Sequence, residues 1–152
     1  MNSHSCMSEP LNNYWINTSH DTYLRRTNAK STDQKQMDRT DLQSYTLALY
    51  RGARAIELDV WDGPATDPVV RSGVSSFPDE TAPSANKHSS FCRAGPGLVF
   101  SDVLSTVRYF LQSEPNSYPI ILLIENHCSV PYQKKMATDI NVSNITIMTC
   151  KM

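Results

Sequence analysis

"RAIELDVWDG", residues 54–63, alternates Ile56, Leu58 and Val60 with Glu57, Asp59 and Trp61. That two-residue period is the period of a β-strand, so one face is apolar and Glu57 and Asp59 share the other. Upstream, "DLQSYTLALYRG" at 41–52 repeats Leu42, Tyr45 and Leu49 at helical spacing and stops at a glycine. Before it, "YWINTSH" at 14–20 has the aromatic and β-branched content of a short strand ending in His20. Downstream, "SDVLSTVRYFLQS" at 101–113 carries Val103, Leu104, Val107, Phe110 and Leu111 as a stripe, with Ser101 as the expected N-cap. "YPIILLIEN" at 118–126 is a near-continuous apolar run, as expected of a parallel strand buried on both faces, and it terminates in Glu125. A helix-compatible "PYQKKMATDI" follows at 131–140.

Strand, helix, strand, helix, strand in this order predicts an α/β fold with parallel strands joined by right-handed crossovers. Sites in such sheets gather beyond the C-terminal strand ends, which is where His20, Asp21, Glu57, Asp59 and Glu125 are expected to converge. The stretch between Gly63 and Gly97 is rich in Pro, Ser and Gly, has no period, and is expected to be a long surface loop.

The chain has 152 residues, enough for one small core, and 14 basic against 15 acidic residues. That balance offers no electrostatic reason to expect a nucleic-acid partner. The longest apolar run is too short to span a bilayer and the N-terminus lacks the pattern of a signal peptide, so the chain reads as soluble and unexported. Cys6, Cys92, Cys128 and Cys150 form no CxxC pair and are read as reduced thiols. The triplets beginning at Asn17, Asn141 and Asn144 match glycosylation sequons without other signs of secretion.

Several carboxylates at one sheet end repel one another unless they are protonated or bridged by a cation. Oxygen donors without a cysteine favour calcium or magnesium over zinc, and calcium better tolerates an irregular ligand set. Taken singly, Glu57 and Asp59 could equally line a solvated strand, and a lone His20 is more often structural than catalytic. Cys128 and Trp61 are read as packing residues, and Gln133 to Lys135 as a solvated helix face.

In combination, "PLNNYWINTSHDTYL", "ARAIELDVWDGP" and "PIILLIENHCSVPYQKKMA" closely resemble the X region of eukaryotic phosphoinositide-specific phospholipase C. The resemblance spans residues 9–140, with a loop insertion at 64–97 and tails at 1–8 and 141–152. It implies a partial TIM-type (β/α) barrel, the N-terminal half only. It also implies one bound calcium ion and cleavage of phosphatidylinositol 4,5-bisphosphate to diacylglycerol and inositol trisphosphate. The expected location is cytoplasmic, peripheral to a membrane surface.

Carried over by motif, the family's first catalytic histidine falls on His20, and its calcium ligands fall on Asp21 (an asparagine in the family), Glu57, Asp59 and Glu125. In the family the first histidine donates to the phosphoryl oxygen and a second protonates the departing diacylglycerol oxygen. The second belongs to a segment resembling "PVIYHG", which here reads "PVVRSG" and places Ser72 at that position. Alignment backwards from "LVFSDVL" instead brings His88 near it. Two readings follow: a calcium-dependent phosphodiesterase using His20 and His88, or a catalytically inactive phosphoinositide-binding module of the same fold.

Overall fold

The computed structural model describes residues 8–25, 39–71 and 97–143. In chain order its regular elements are β1 (Thr18–Ser19), β2 (Leu24–Arg25), β3 (Arg39–Thr40), α1 (Leu42–Tyr50), β4 (Ala55–Trp61), β5 (Val69–Val70), β6 (Leu98–Val99), α2 (Phe100–Ser113), β7 (Ile121–Asn126) and α3 (Val130–Val142). Short 3₁₀ turns occupy Leu11–Asn13 and Pro64–Thr66.

β4 organises the sheet. It runs parallel to β7 from Ala55↔Ile121 to Val60↔Asn126, and parallel to β1 at Thr18↔Ala55 and Ser19↔Ile56. Because Ala55 pairs with both strands, β1 and β7 must flank β4 on opposite sides. The same argument at Val60, which pairs with Val70 and with Asn126, puts β5 on the side away from β7. β5 is antiparallel to β4 and to β6, while β2 and β3 form a separate antiparallel ribbon.

The alternation of β4 holds: Ile56, Leu58 and Val60 are fully buried, while Glu57, Asp59 and Trp61 stay partly exposed. The buried side packs into one apolar cluster with Tyr45 and Leu49 of α1, Phe100, Val103, Leu104, Val107 and Phe110 of α2, and Met136 of α3. Tyr50 meets Phe110 edge-on at 5.1 Å, joining α1 to α2. The helices therefore cover one face of the sheet, and among the described residues no element covers the face bearing the carboxylates.

Three expectations change in detail. The segment from Gly63 to Gly97 is not wholly loop, since β5 within it pairs antiparallel with β4 and with β6, which begins just past its end; residues 72–96 of it lie outside the described residues. Val99, not Ser101, occupies the N-cap of α2. The reason is that Phe100 is fully buried and its N–H donates to Pro68 O at 2.9 Å, which anchors the first turn to β5 and satisfies a donor that a helix start leaves open. β7 is not buried on both faces: Leu123 is 51% exposed and Glu125 is exposed, because nothing among the described residues covers the open side. No helix among the described residues is long and apolar enough to cross a membrane.

Candidate active site

The two-residue period of β4 brings Glu57 and Asp59 to its open face, and the parallel register sets Glu125 directly abreast of Asp59. His20 follows β1 immediately, so it reaches the same face from the opposite flank. Its Nε2 lies 2.9 Å from Glu57 Oε2 and its Nδ1 3.3 Å from Asp21 Oδ2, which seats the ring between two carboxylates. Asp21 holds a left-handed backbone (φ 50°), a conformation that aspartate adopts more readily than most residues, and its Oδ1 accepts from the Tyr23 hydroxyl at 2.9 Å. The turn is closed by the Thr22 hydroxyl donating to Ser19 Oγ at 2.8 Å.

Loss of water and mutual repulsion govern the charges. Desolvation pushes the Glu57 carboxyl above the ordinary range, with Asp59, Glu125 and a hydrogen bond to Glu125 adding to it and His20 opposing it. Desolvation likewise raises Asp59, followed by repulsion from Glu125, with His127 working against it. Asp59 Oδ1 is buried and has no hydrogen-bond partner among the described residues. A buried, unpaired carboxylate oxygen beside other acids is costly, and a cation would relieve the cost. Ligand atoms of Asp59, Glu125 and His127 all lie within 4.8 Å of one another. This donor set, chiefly hard oxygens, fits a divalent ion.

The structure thus brings together four of the sequence-derived ligands in two linked groups: Asp21 and Glu57 around His20, and Asp59 with Glu125. His88 and Ser72 lie outside the described residues. Sequence reading passed over His127, although it stands two positions beyond Glu125 in "ENH". The His127 N–H donates to Val60 O at 2.9 Å, which stations its ring against Trp61 at a centroid distance of 4.1 Å and an interplanar angle of 14°. Its Nε2 lies 3.6 Å from Glu125 Oε2. Cys128 is buried, as a packing residue should be, and burial first, then Asp62, pushes its thiol up to about 11. Lys135 is less solvated than its helix pattern implied, contacting Asp139 and, at 3.8 Å, Asp67.

The family model described as phosphatidylinositol-specific phospholipase C, X domain, matches residues 7–143. The chain is 36% identical over 134 residues to mouse 1-phosphatidylinositol 4,5-bisphosphate phosphodiesterase eta-2, covering 88% of this chain and 7% of that protein. It is equally 36% identical, over 132 residues, to human inactive phospholipase C-like protein 2, covering 86% of this chain and 9% of that one. Among solved structures, that of L. pealei PLC21 superposes with a TM-score of 0.63 at 29% identity, covering 91% of this chain and 15% of that chain. The chain therefore spans only a small fraction of the length of the proteins it matches.

Proposed function

The chain belongs to the phosphatidylinositol-specific phospholipase C X-domain family, and from that premise we propose that it carries the calcium-holding half of a phosphoinositide phosphodiesterase site. The observation that carries this reading is the abreast pair Asp59 and Glu125, in which Asp59 Oδ1 is buried and has no hydrogen-bond partner among the described residues. The substrate is phosphatidylinositol 4,5-bisphosphate, met at a cytoplasmic membrane surface. The products are diacylglycerol and inositol trisphosphate.

Asp59 and Glu125 would hold calcium, with Glu57, Asp21 and His127 as the neighbouring donors. When bound there, the ion supplies positive charge that acidifies the inositol 2-hydroxyl and stabilises the phosphoryl group. Glu57, whose carboxyl desolvation raises above the ordinary range, is suited to receive the hydroxyl proton. His20, seated between Glu57 and Asp21, is oriented to offer an N–H to a phosphoryl oxygen when that oxygen takes the place of a carboxylate partner. Attack by the 2-hydroxyl forms a cyclic phosphodiester and releases the diacylglycerol oxygen, which must gain a proton; water then opens the cyclic phosphodiester, breaking the bond to the 2-oxygen and giving inositol trisphosphate. His88 is the donor on the active reading.

Ser72 at the second-histidine position and the likeness to an inactive relative favour a second reading, a module that binds phosphoinositide without cleaving it. Calorimetric titration of the full chain with calcium, followed by vesicles containing phosphatidylinositol 4,5-bisphosphate, tests both. Calcium heat that disappears in Glu125→Gln is expected, and a wild-type chain that binds no calcium at millimolar levels would sink the site. Binding of vesicles with no inositol phosphate release, in a chain completed by the rest of a barrel, would select the second reading.

A further inference from the structure

We propose that Arg71 is a phosphate-binding residue of this site, an inference that rests on the phosphodiester reading above. The antiparallel register Trp61↔Val69 and Val60↔Val70 continues one step further, because the Arg71 N–H donates to Asp59 O at 3.0 Å. Arg71 is thus the cross-strand neighbour of Asp59, and residues directly opposite on paired strands project to the same face. That face is the open one carrying Glu57, Asp59 and Glu125. β5 and β7 flank β4 on opposite sides, so Trp61 receives Arg71 from one flank, with Cζ 5.6 Å from the ring centroid, and His127 from the other.

This arrangement answers a problem in the site. Several carboxylates on one face repel an anionic phosphate, and a permanent cation on that face counters them. A guanidinium laid over an indole is held in place at little further entropic cost, and its in-plane N–H groups match the oxygens of a phosphate. Arginine stays charged and cannot serve as the general acid, so Arg71 does not substitute for the histidine absent at position 72. It binds and stabilises negative charge on the phosphoryl group. The segment resembled by "PVVRSG" has a tyrosine at this position, so the charge belongs to this chain.

The test uses the full chain with Trp15→Phe, which removes an exposed indole and leaves Trp61 as the one tryptophan of the two in the sequence. In the presence of calcium, glycerophosphoinositol, a soluble phosphodiester, should shift Trp61 emission as it draws the guanidinium away. Arg71→Met should weaken binding tenfold or more and abolish the shift while leaving the calcium heat unchanged. Vesicles containing phosphatidylinositol 4,5-bisphosphate should rank the variants in the same order. If inorganic phosphate alone responds as strongly as the diester, the site takes free phosphate in place of a headgroup. Should Arg71→Met lower the melting temperature, Arg71→Lys, which keeps stem and charge, must bind better than it. Equal weakening in those two variants, or Arg71→Met binding like wild type, overturns the assignment alone. A wild-type chain that binds none of the probes overturns the phosphodiester reading and this inference with it.

Discussion

Replacing Asp59 by Asn should make the ion-free protein more stable and the calcium-bound protein less so. The Asp59 and Glu125 ligand oxygens lie within 4.8 Å of each other, where two unit charges repel by about 3.5 kcal/mol at an effective dielectric of about 20 and by about 0.9 kcal/mol in water. Glu125 is 58% exposed and His127 opposes part of the repulsion, so the lower half of that range applies, about 1–2 kcal/mol. For a domain of this size that corresponds to a rise of about 2–8 °C in melting temperature. With calcium at a hundred times its Kd the wild type gains about 2.7 kcal/mol by linkage, and the variant should lose most of that gain. The assay is a pair of thermal melts for each protein, one in chelator and one in calcium, and the expected signature is a crossing of the order. If Asp59→Asn melts below wild type in chelator, repulsion does not govern the site. If both proteins respond equally to calcium, Asp59 is not a ligand.

Glu57 and Asp59 are both raised above ordinary carboxylates, so between their unfolded and folded values the native state holds protons that the unfolded chain has released. Ion-free stability should therefore fall as pH rises from about 4 through those raised values and level off above them. Urea midpoints should show this slope in wild type and less of it in the Glu57→Gln, Asp59→Asn double variant; parallel profiles would contradict it. Gly63→Ala should destabilise by about 1–3 kcal/mol, since an added Cβ would meet Asp67 O at 2.3 Å and Val69 Cγ1 at 2.5 Å. An unchanged denaturant midpoint would show that the turn before β5 relaxes freely. The Tyr45 hydroxyl is buried without a hydrogen-bond partner among the described residues, so Tyr45→Phe should be neutral or stabilise by about 1 kcal/mol, and a clear loss would reveal a partner for it.

Local pattern determined much of this protein from its sequence. The alternation in "AIELDVW" put Glu57 and Asp59 on one face because side-chain direction in a strand depends only on parity. The stripes of α1 and α2 followed from the helical period, and the buried residues Tyr45, Leu49, Val103, Val107 and Phe110 were legible from it. The acids at the strand ends, together with their motifs, carried the family assignment.

What only the tertiary structure decided is which strand lies beside which, and in what register. That Glu125 stands abreast of Asp59 and not of Glu57 depends on the pairing of β4 with β7, two segments with no local coupling, where a slip of one residue would turn every side chain to the other face. The same pairing brings His127 onto Trp61, and the antiparallel return of β5 sets Arg71 opposite Asp59. β5 and β6 are two residues each, too short to show a period, so their place in the sheet is decided by the neighbours that accept their hydrogen bonds.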